Sequence, residues 1–142
     1  MALLEKEIDE IIKASASTYT PEFLIQNGLK ISLNLSYLKT TRFVQDKYGK
    51  KIYPEIVLWK PYEGSDGLGE VQVIEFIETE KTYFSNWING RWNNIDTSDI
   101  QIQLIVPKNT VGLAKSSITG TKINLQSYTK LPNGKYLFMD EK

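Results

Sequence analysis

An apolar run that ends in acid constrains this chain more than any other feature. Residues 71–81 read VQVIEFIETEK, and a second apolar run, residues 53–59 (YPEIVLW), lies upstream of a glycine-rich loop. Runs of this length and β-branched content predict strands packed in one sheet. A carboxylate on such a strand is costly to desolvate unless a cation or hydrogen bonds compensate for it. The two runs therefore predict a place where acids are brought together, and a divalent-metal site is one arrangement that would satisfy them.

Histidine and cysteine are both absent from the 142 residues, and this narrows the possible chemistry. Their absence excludes disulfides, thiolate zinc sites, cysteine nucleophiles and histidine acid/base catalysis. Any metal must be held by oxygen ligands, which favours Mg²⁺, Mn²⁺ or Ca²⁺. The length predicts one domain, residues 1–142. Since we find no signal peptide and no apolar stretch long enough to span a membrane, we expect a cytoplasmic protein without a membrane partner, and a homodimer stays open.

Charge is balanced overall but unevenly distributed along the chain. Seventeen basic residues match seventeen acidic ones, yet every charged residue between positions 61 and 80 is acidic and most of those between 30 and 60 are basic. A basic segment beside an acidic focus suits a protein that attracts a polyanion and holds a cation against it. Lys47, Lys50 and Lys51 are therefore candidates for contact with DNA. The alternative is that they form the solvated tip of a hairpin.

The spacing of apolar residues predicts the order helix, three strands, helix, strand, helix and two strands. The predicted ranges are helix 3–17, strand 29–38 with an extension or short partner at 40–45, strand 52–59, the strand from residue 71, a short or broken helix at 82–94, strand 100–106, helix 109–117, and a hairpin of strands 122–128 and 136–139. The step from 71 to 106 fits a crossover between parallel strands. The fold class is α/β or α+β, with a mixed sheet of about five to six strands flanked by helices.

This order resembles the PD-(D/E)xK nuclease superfamily, the restriction-endonuclease-like fold. The resemblance covers the order of elements from about Leu3 to Val106, and in residues only Pro54-Glu55 and the segment 75–81. It implies hydrolysis of DNA phosphodiester bonds by water on a carboxylate-bound Mg²⁺ or Mn²⁺. In that superfamily the acid after the proline and the first acid of the triplet bind the metal, and the triplet's lysine positions or activates the water.

Carried over by position, Glu55 is the first metal ligand, but the triplet departs from the pattern. Glu78-Thr79-Glu80 has a glutamate where lysine is expected, and Lys81 falls one residue late. Successive side chains of a strand point to opposite faces, so Glu78 and Glu80 share one face and Glu75 lies on the other. Glu75 would join the site only if a bulge intervened. The resemblance thus implies these catalytic residues and metal ligands: catalytic Glu55, Glu78, Glu80 and Lys81; ligands Glu55 and Glu78, with Glu75 as the second choice.

Aromatic residues follow the acidic strand and have two interpretations. Arg91 and Trp92 are candidates to clamp a phosphate or stack on a base. Tryptophans at such spacing are more often core anchors, and we expect Trp59 and Trp87 to be largely buried.

Two functions compete at this point. The first is a metal-dependent nuclease, in which the carboxylates of Glu55 and of Glu78 or Glu75 approach to within about 4 to 6 Å. A glutamate of the first helix, Glu7 or Glu10, would complete the site, as the family resemblance implies. The second is a nuclease-like fold without catalysis that serves as a protein-interaction or nucleic-acid-binding module. Clustered acids favour the first function, whereas the missing lysine and the balanced charge favour the second. An unrelated α+β binding domain whose acids simply end a strand in solvent is a third interpretation.

Overall fold

A six-stranded mixed sheet forms the centre of the molecule. The computed structural model describes residues 2–35, 42–65, 67–96 and 98–141. The helices are α1 (Ala2–Ala16), α2 (Pro21–Asn27), α3 (Tyr83–Ile88) and α4 (Val111–Ile118), with a 3₁₀ turn at Lys108–Thr110. The strands are β1 (Lys30–Leu33), β2 (Val44–Gln45), β3 (Lys51–Ile52), β4 (Ile56–Pro61), β5 (Gly69–Ile77), β6 (Gln101–Pro107), β7 (Asn124–Lys130) and β8 (Tyr136–Asp140). None of the described helices is long and apolar enough to cross a membrane.

The strand order β1-β4-β5-β6-β7-β8 combines both kinds of pairing. Strands β1, β4 and β5 are antiparallel neighbours, β5, β6 and β7 run parallel, and β8 returns antiparallel to β7. The short strands β2 and β3 form a separate hairpin. The predicted mixed α+β class is confirmed, as are the parallel β5–β6 step and the final hairpin.

Each face of the sheet carries its own hydrophobic cluster. On one face, which we call the α3 face, α3, α4 and the β2–β3 hairpin pack over Trp59, Phe76 and Leu104. On the other, the α1 face, Ile11 and Ile12 of α1 pack over Ile56, Ile77 and Ile105. Alternation along β5 sends Phe76 to the α3 face and Ile77 to the α1 face, so the strand is buried on both sides. Side chains at the carboxyl end of β5 are therefore covered on both faces of the sheet and have little contact with bulk water.

The structure differs from the predicted elements in two places. The predicted strand 52–59 is interrupted at residues 53–55, between β3 and β4. The second difference is α2, a helix that the spacing did not predict: α1 ends at Ala16 and α2 begins at Pro21. The Thr20 hydroxyl accepts a hydrogen bond from the Phe23 N–H at 3.2 Å, and proline suits the first helical position. The predicted strand 29–38 is observed as β1, and its end together with the start of segment 40–45 falls on residues 36–41, outside the described residues.

Candidate functional site

The guanidinium of Arg91 lies between the carboxylates of Glu55 and Glu78. Its Nη1 donates to Glu55 Oε1 at 2.9 Å and to Glu78 Oε2 at 3.3 Å. Its Nη2 forms an ion pair with Glu55 Oε2 and donates to the carbonyl of Tyr53 at 3.0 Å. Because one nitrogen bonds both acids, the two carboxylates are no farther apart than these two bonds laid end to end. The sequence-predicted meeting of Glu55 and Glu78 is therefore observed, with a cation of the chain itself between them.

The break between β3 and β4 positions Glu55. Asn34 is buried there, and its Nδ2 donates to the carbonyls of Pro54 and Arg42, both at 2.7 Å. The Asn34 N–H also donates to the carbonyl of Glu55 at 3.0 Å. These bonds fix the segment 53–55 against the end of β1, and the Glu55 side chain reaches the end of β5. There Glu55 Oε1 accepts the N–H of Ile77 at 2.6 Å.

Glu78 follows the last residue of β5 and is enclosed by α3. Its Oε1 accepts hydrogen bonds from Thr82 Oγ1 at 2.8 Å and Asn86 Nδ2 at 2.7 Å. These two donors are one helical turn apart, so they present the same side of α3 to the acid. The other oxygen accepts from Arg91 and from the Trp92 indole N–H at 3.2 Å. Glu78 is 1 % exposed, and both of its oxygens are paired.

A glycine turns the chain so that Arg91 and Trp92 face inward. Gly90 follows the last turn of α3 with a positive φ of 71°, the left-handed conformation typical of residues that end helices. A Cβ at this position would lie 2.4 Å from Nδ2 of Asn94, the end of a side chain that can move, so the positive φ is the stronger reason for glycine here. Trp92 is fully buried and packs against Tyr83, with ring centroids 5.9 Å apart. Arg91 lies over the Phe76 ring at 4.9 Å.

Burial dominates the electrostatics of the cluster. It raises the pKa of Glu78, the more so with Glu55 nearby, while Arg91, Asn86 and Thr82 act to lower that pKa. Burial alone would lower the pKa of Arg91, but Glu55 and Glu78 outweigh it and raise that pKa above its usual value. Arg91 therefore stays charged at any accessible pH and is the cation that compensates the two acids.

The residues of this cluster do not fit a hard divalent cation. Mg²⁺ needs oxygen lone pairs directed at it and usually one or two carboxylates plus water or phosphate oxygens. All four carboxylate oxygens of Glu55 and Glu78 already accept hydrogen bonds, and the guanidinium occupies the space between them. Among the described residues, no group of three or more acidic side chains is arranged to hold a metal.

Glu75, the second choice for a ligand, lies on the α1 face. It is 2 % exposed, accepts a hydrogen bond from Ser15 Oγ at 2.9 Å, and also accepts one from the Tyr19 hydroxyl. Burial raises the pKa of Glu75, and these two hydrogen bonds only partly oppose that rise. Burial and the nearby carboxylate raise the pKa of Tyr19 as well. No bulge moves Glu75 to the α3 face, so it joins α1 to the sheet instead of joining Glu55 and Glu78.

Glu80 and Lys81 are separated from Glu78 because β5 ends at Ile77 and the alternation of a strand no longer applies. Glu80 is exposed and accepts a hydrogen bond from Asn109 Nδ2. Both residues line an open cleft of about 420 Å³ together with Glu7 of α1, and we call it the edge cleft. Glu10 lines a different groove on α1, beside Lys13. The predicted sharing of one site by Glu78, Glu80 and Lys81 is not observed.

Lys47, Lys50 and Lys51 lie on the hairpin of β2 and β3, and all three are exposed. One oxygen of Asp46 accepts the N–H groups of Tyr48 at 2.9 Å and Lys50 at 3.0 Å, which fixes the turn. The residues 43–52, which we call the lysine hairpin, are joined to the α3 region by a bond from the Lys47 N–H to the carbonyl of Asn94 at 3.0 Å.

The burial of the three tryptophans agrees only in part with the prediction that Trp59 and Trp87 are largely buried. Trp59 is buried, as predicted, and its indole donates to Ser32 Oγ at 3.0 Å. Trp87 is only half-buried at the border of the α3-face cluster. The fully enclosed tryptophan is Trp92, so its ring has no face free to stack on a base. Arg91 is likewise directed inward to the acids, which removes it from the predicted contact with DNA.

Sequence reasoning did not identify four of the partners. These are Thr82 and Asn86 for Glu78, and Ser15 and Tyr19 for Glu75. A usable signal existed for the first pair, since two hydrogen-bonding residues four apart on a helix directly after a buried acid share one side of that helix. The second pair gave no comparable signal, because α1 meets β5 only through the tertiary fold.

Comparison with models of protein families, with curated proteins and with solved structures found no match to this chain. The roles of its residues are therefore argued from its own geometry.

Proposed function

We propose that this chain is a nuclease-like module that binds DNA without cutting it. The observation that carries the proposal is the position of Arg91, which takes the place of a metal ion between Glu55 and Glu78. Helix α1, the antiparallel strands β1, β4 and β5, then α3 and the parallel β6 follow the order that the restriction-endonuclease-like fold would have. In such a fold the two acids would hold Mg²⁺, and a chain that pairs both of them with an arginine lacks the activated water for hydrolysis.

The lysine hairpin supports the binding part of the proposal. Three exposed lysines lie there beside the exposed aromatic side chains Phe43 and Tyr48, and Tyr48 is 75 % exposed. The ammonium of Lys47 lies 5.3 Å from the centre of the Tyr48 ring. Lysines that contact phosphates, next to a ring on which a base can stack, are the two elements of sequence-tolerant binding to single strands. The turn is already held by Asp46, so little ordering would be needed on binding.

Cleavage and binding are separate measurements. We expect no cutting of single-stranded or duplex DNA in Mg²⁺ or Mn²⁺, and no change of melting temperature with either metal. Cutting that EDTA and Glu78→Ala both abolish would instead support the metal-dependent nuclease. Since the variant could lose structure, its melting curve has to be recorded beside the cleavage assay.

Binding is tested by fluorescence anisotropy with labelled single-stranded DNA over a range of salt. Replacing Lys47, Lys50 and Lys51 by alanine should weaken binding and reduce the salt slope by about 2, since each phosphate contact contributes about 0.7 on a single strand. Tyr48→Ala should cost about 1–3 kcal/mol of binding free energy. The matched control replaces the exposed lysines Lys6, Lys60 and Lys122. Equal losses in both triple variants would contradict a role for the hairpin.

A further inference from the structure

The edge cleft lies at the carboxyl ends of three parallel strands. Its walls come from the residues that follow β5, from the end of β6 with the 3₁₀ turn, from the end of β7, and from α1. Crevices outside the carboxyl ends of parallel strands are where open α/β sheets bind ligands. The volume of about 420 Å³ is within the range of small-molecule pockets.

Three lysines line this cleft. Lys81, Lys108 and Lys130 come from three different segments of the chain. Lys108 is ion-paired with Glu141 at 2.7 Å. Among the residues that the structure describes, Lys81 and Lys130 have no carboxylate within ion-pair distance. The Lys130 ammonium lies 5.9 Å from the centre of the Tyr136 ring, a contact that is weak beside a charge-assisted hydrogen bond. These two ammonium groups can therefore bind an anionic group of a ligand, and a phosphate accepts several such bonds.

Two carboxylates line the same cleft and restrict what can enter it. Glu7 projects from α1, and Glu80 is held by the side-chain amide of Asn109. A bare anion would be repelled by these acids, and a bare cation by the lysines. A ligand that has an anionic group at one end and hydroxyl donors at the other satisfies both sets, because carboxylates accept hydrogen bonds from sugar hydroxyls.

The wall between these groups contains Tyr128 and Pro107. Tyr128 is buried, and its hydroxyl donates to the carbonyl of Glu78 at 3.3 Å, which fixes the ring. Burial raises the pKa of Tyr128, so the phenol stays neutral near the two acids. Only a small part of the Tyr128 ring faces the cleft, and together with Pro107 it gives an uncharged, rigid patch that suits the apolar face of a sugar ring.

We propose that the edge cleft binds a phosphorylated sugar, with Lys81 and Lys130 on the phosphate and Glu7 on the sugar hydroxyls. The ligand has two sources with the same chemistry: a free mononucleotide or sugar phosphate, and the phosphorylated 5′ end of a nucleic-acid strand. The site is distinct from the lysine hairpin and does not depend on DNA binding there.

Calorimetric titration of the full chain tests the phosphate contact and the sugar contact separately. Ribose 5-phosphate and adenosine 5′-phosphate should bind, inorganic phosphate should bind more weakly, and adenosine should not bind. Lys81→Ala with Lys130→Ala should weaken the binding of both phosphate esters by about tenfold or more. The matched control, Lys60→Ala with Lys122→Ala, removes the same charge from exposed positions outside the cleft and should leave binding unchanged. Glu7→Gln should weaken the binding of ribose 5-phosphate and leave the binding of inorganic phosphate unchanged.

A pair of oligonucleotides, with and without a 5′-phosphate, distinguishes the two sources. Tighter binding of the phosphorylated strand, lost in the Lys81/Lys130 variant and kept in the variant of the lysine hairpin, identifies a strand end as the ligand. Equal binding of the two strands, with ribose 5-phosphate still bound, identifies a free ligand. The proposal is overturned if neither phosphate ester binds at millimolar concentration, or if the double variant melts like the wild type and binds both esters unchanged.

Discussion

At the residue scale, one arginine decides the character of the site. Arg91 pairs with two buried acids, one from the segment that precedes β4 and one that directly follows β5, and no other cation forms an ion pair with them among the described residues. A buried charge that loses its partner is expensive, since neither water nor a counter-ion can replace it easily. The cluster is therefore a single energetic unit, and each member should be sensitive to loss of the others.

Replacement of Arg91 by alanine should lower the free energy of unfolding by about 3–5 kcal/mol at neutral pH, the usual cost of leaving a buried charge unpaired. The free energy of unfolding of Arg91→Lys should lie between those of the wild type and Arg91→Ala, because an ammonium keeps the charge but cannot bond both acids in one plane. Urea unfolding measures both. The control is Lys108→Ala, which removes an exposed cation from its ion pair with Glu141 and should cost about 1 kcal/mol or less. Similar losses for Arg91→Ala and Lys108→Ala would contradict the role given to Arg91.

The element scale concerns how α1 is attached to the sheet. Its apolar residues Ile11 and Ile12 pack on the α1 face, while Ser15 and the following Tyr19 bond the buried carboxylate of Glu75. Because the pKa of Glu75 is raised in the folded chain, the folded state binds this proton more tightly than the unfolded state does. Its contribution to stability is therefore most favourable at acid pH and decreases as pH rises above the ordinary glutamate value of 4.5.

Glu75→Gln should remove this pH dependence, since glutamine resembles the protonated acid and still accepts a hydrogen bond. We expect the variant to be more stable than the wild type at neutral pH, with the difference disappearing as pH falls below about 4.5. Chemical unfolding at a series of pH values gives the comparison. Glu70→Gln, an exposed acid on the same strand, is the control and should show little difference at any pH. A Glu75→Gln variant less stable than the wild type at neutral pH would show that the hydrogen bonds of the charged form dominate.

At the scale of the whole molecule, the two faces of the sheet depend on different side chains. The α3-face cluster encloses Trp92 fully and leaves Trp87 half-buried. A large side chain enclosed on all sides contributes both its transfer free energy and the packing of its neighbours. Trp92 also donates to Glu78, so the cluster and the charged site are joined through one ring.

Trp92→Ala should lower the free energy of unfolding by about 3–5 kcal/mol, because it leaves a cavity and removes a donor from a buried acid. Trp87→Ala should cost less, since part of that ring already contacts water. Thermal and urea unfolding of the two variants, read by the same probe, provide the comparison. A larger loss for Trp87→Ala than for Trp92→Ala would place the centre of the α3-face core elsewhere.

Much of the fold could be predicted from the sequence. The apolar runs at 53–59 and 71–81 and the alternating run at 100–106 identified β4, β5 and β6, because a strand buried on one or both faces leaves a local pattern in its residues. The helix-like spacing before Gly90 also predicted a short α3. The ends of the strands were predicted less accurately. The predicted strand 52–59 is interrupted at residues 53–55, a segment that is held by hydrogen bonds from Asn34, which is distant in sequence.

Local sequence determined that this chain would bring buried acids to the end of β5 and would hold any metal by oxygen, since it has no histidine or cysteine. Only the tertiary structure decided what compensates those acids. Arg91 is 36 positions from Glu55, and its direction depends on the turn at Gly90 and on the packing of α3 over the sheet. Likewise, Glu78 and Glu80 share a face only while a strand continues, and the strand ends at Ile77. Periodicity is a property of neighbouring residues, whereas the pairing of charges depends on distances that are set when the elements pack.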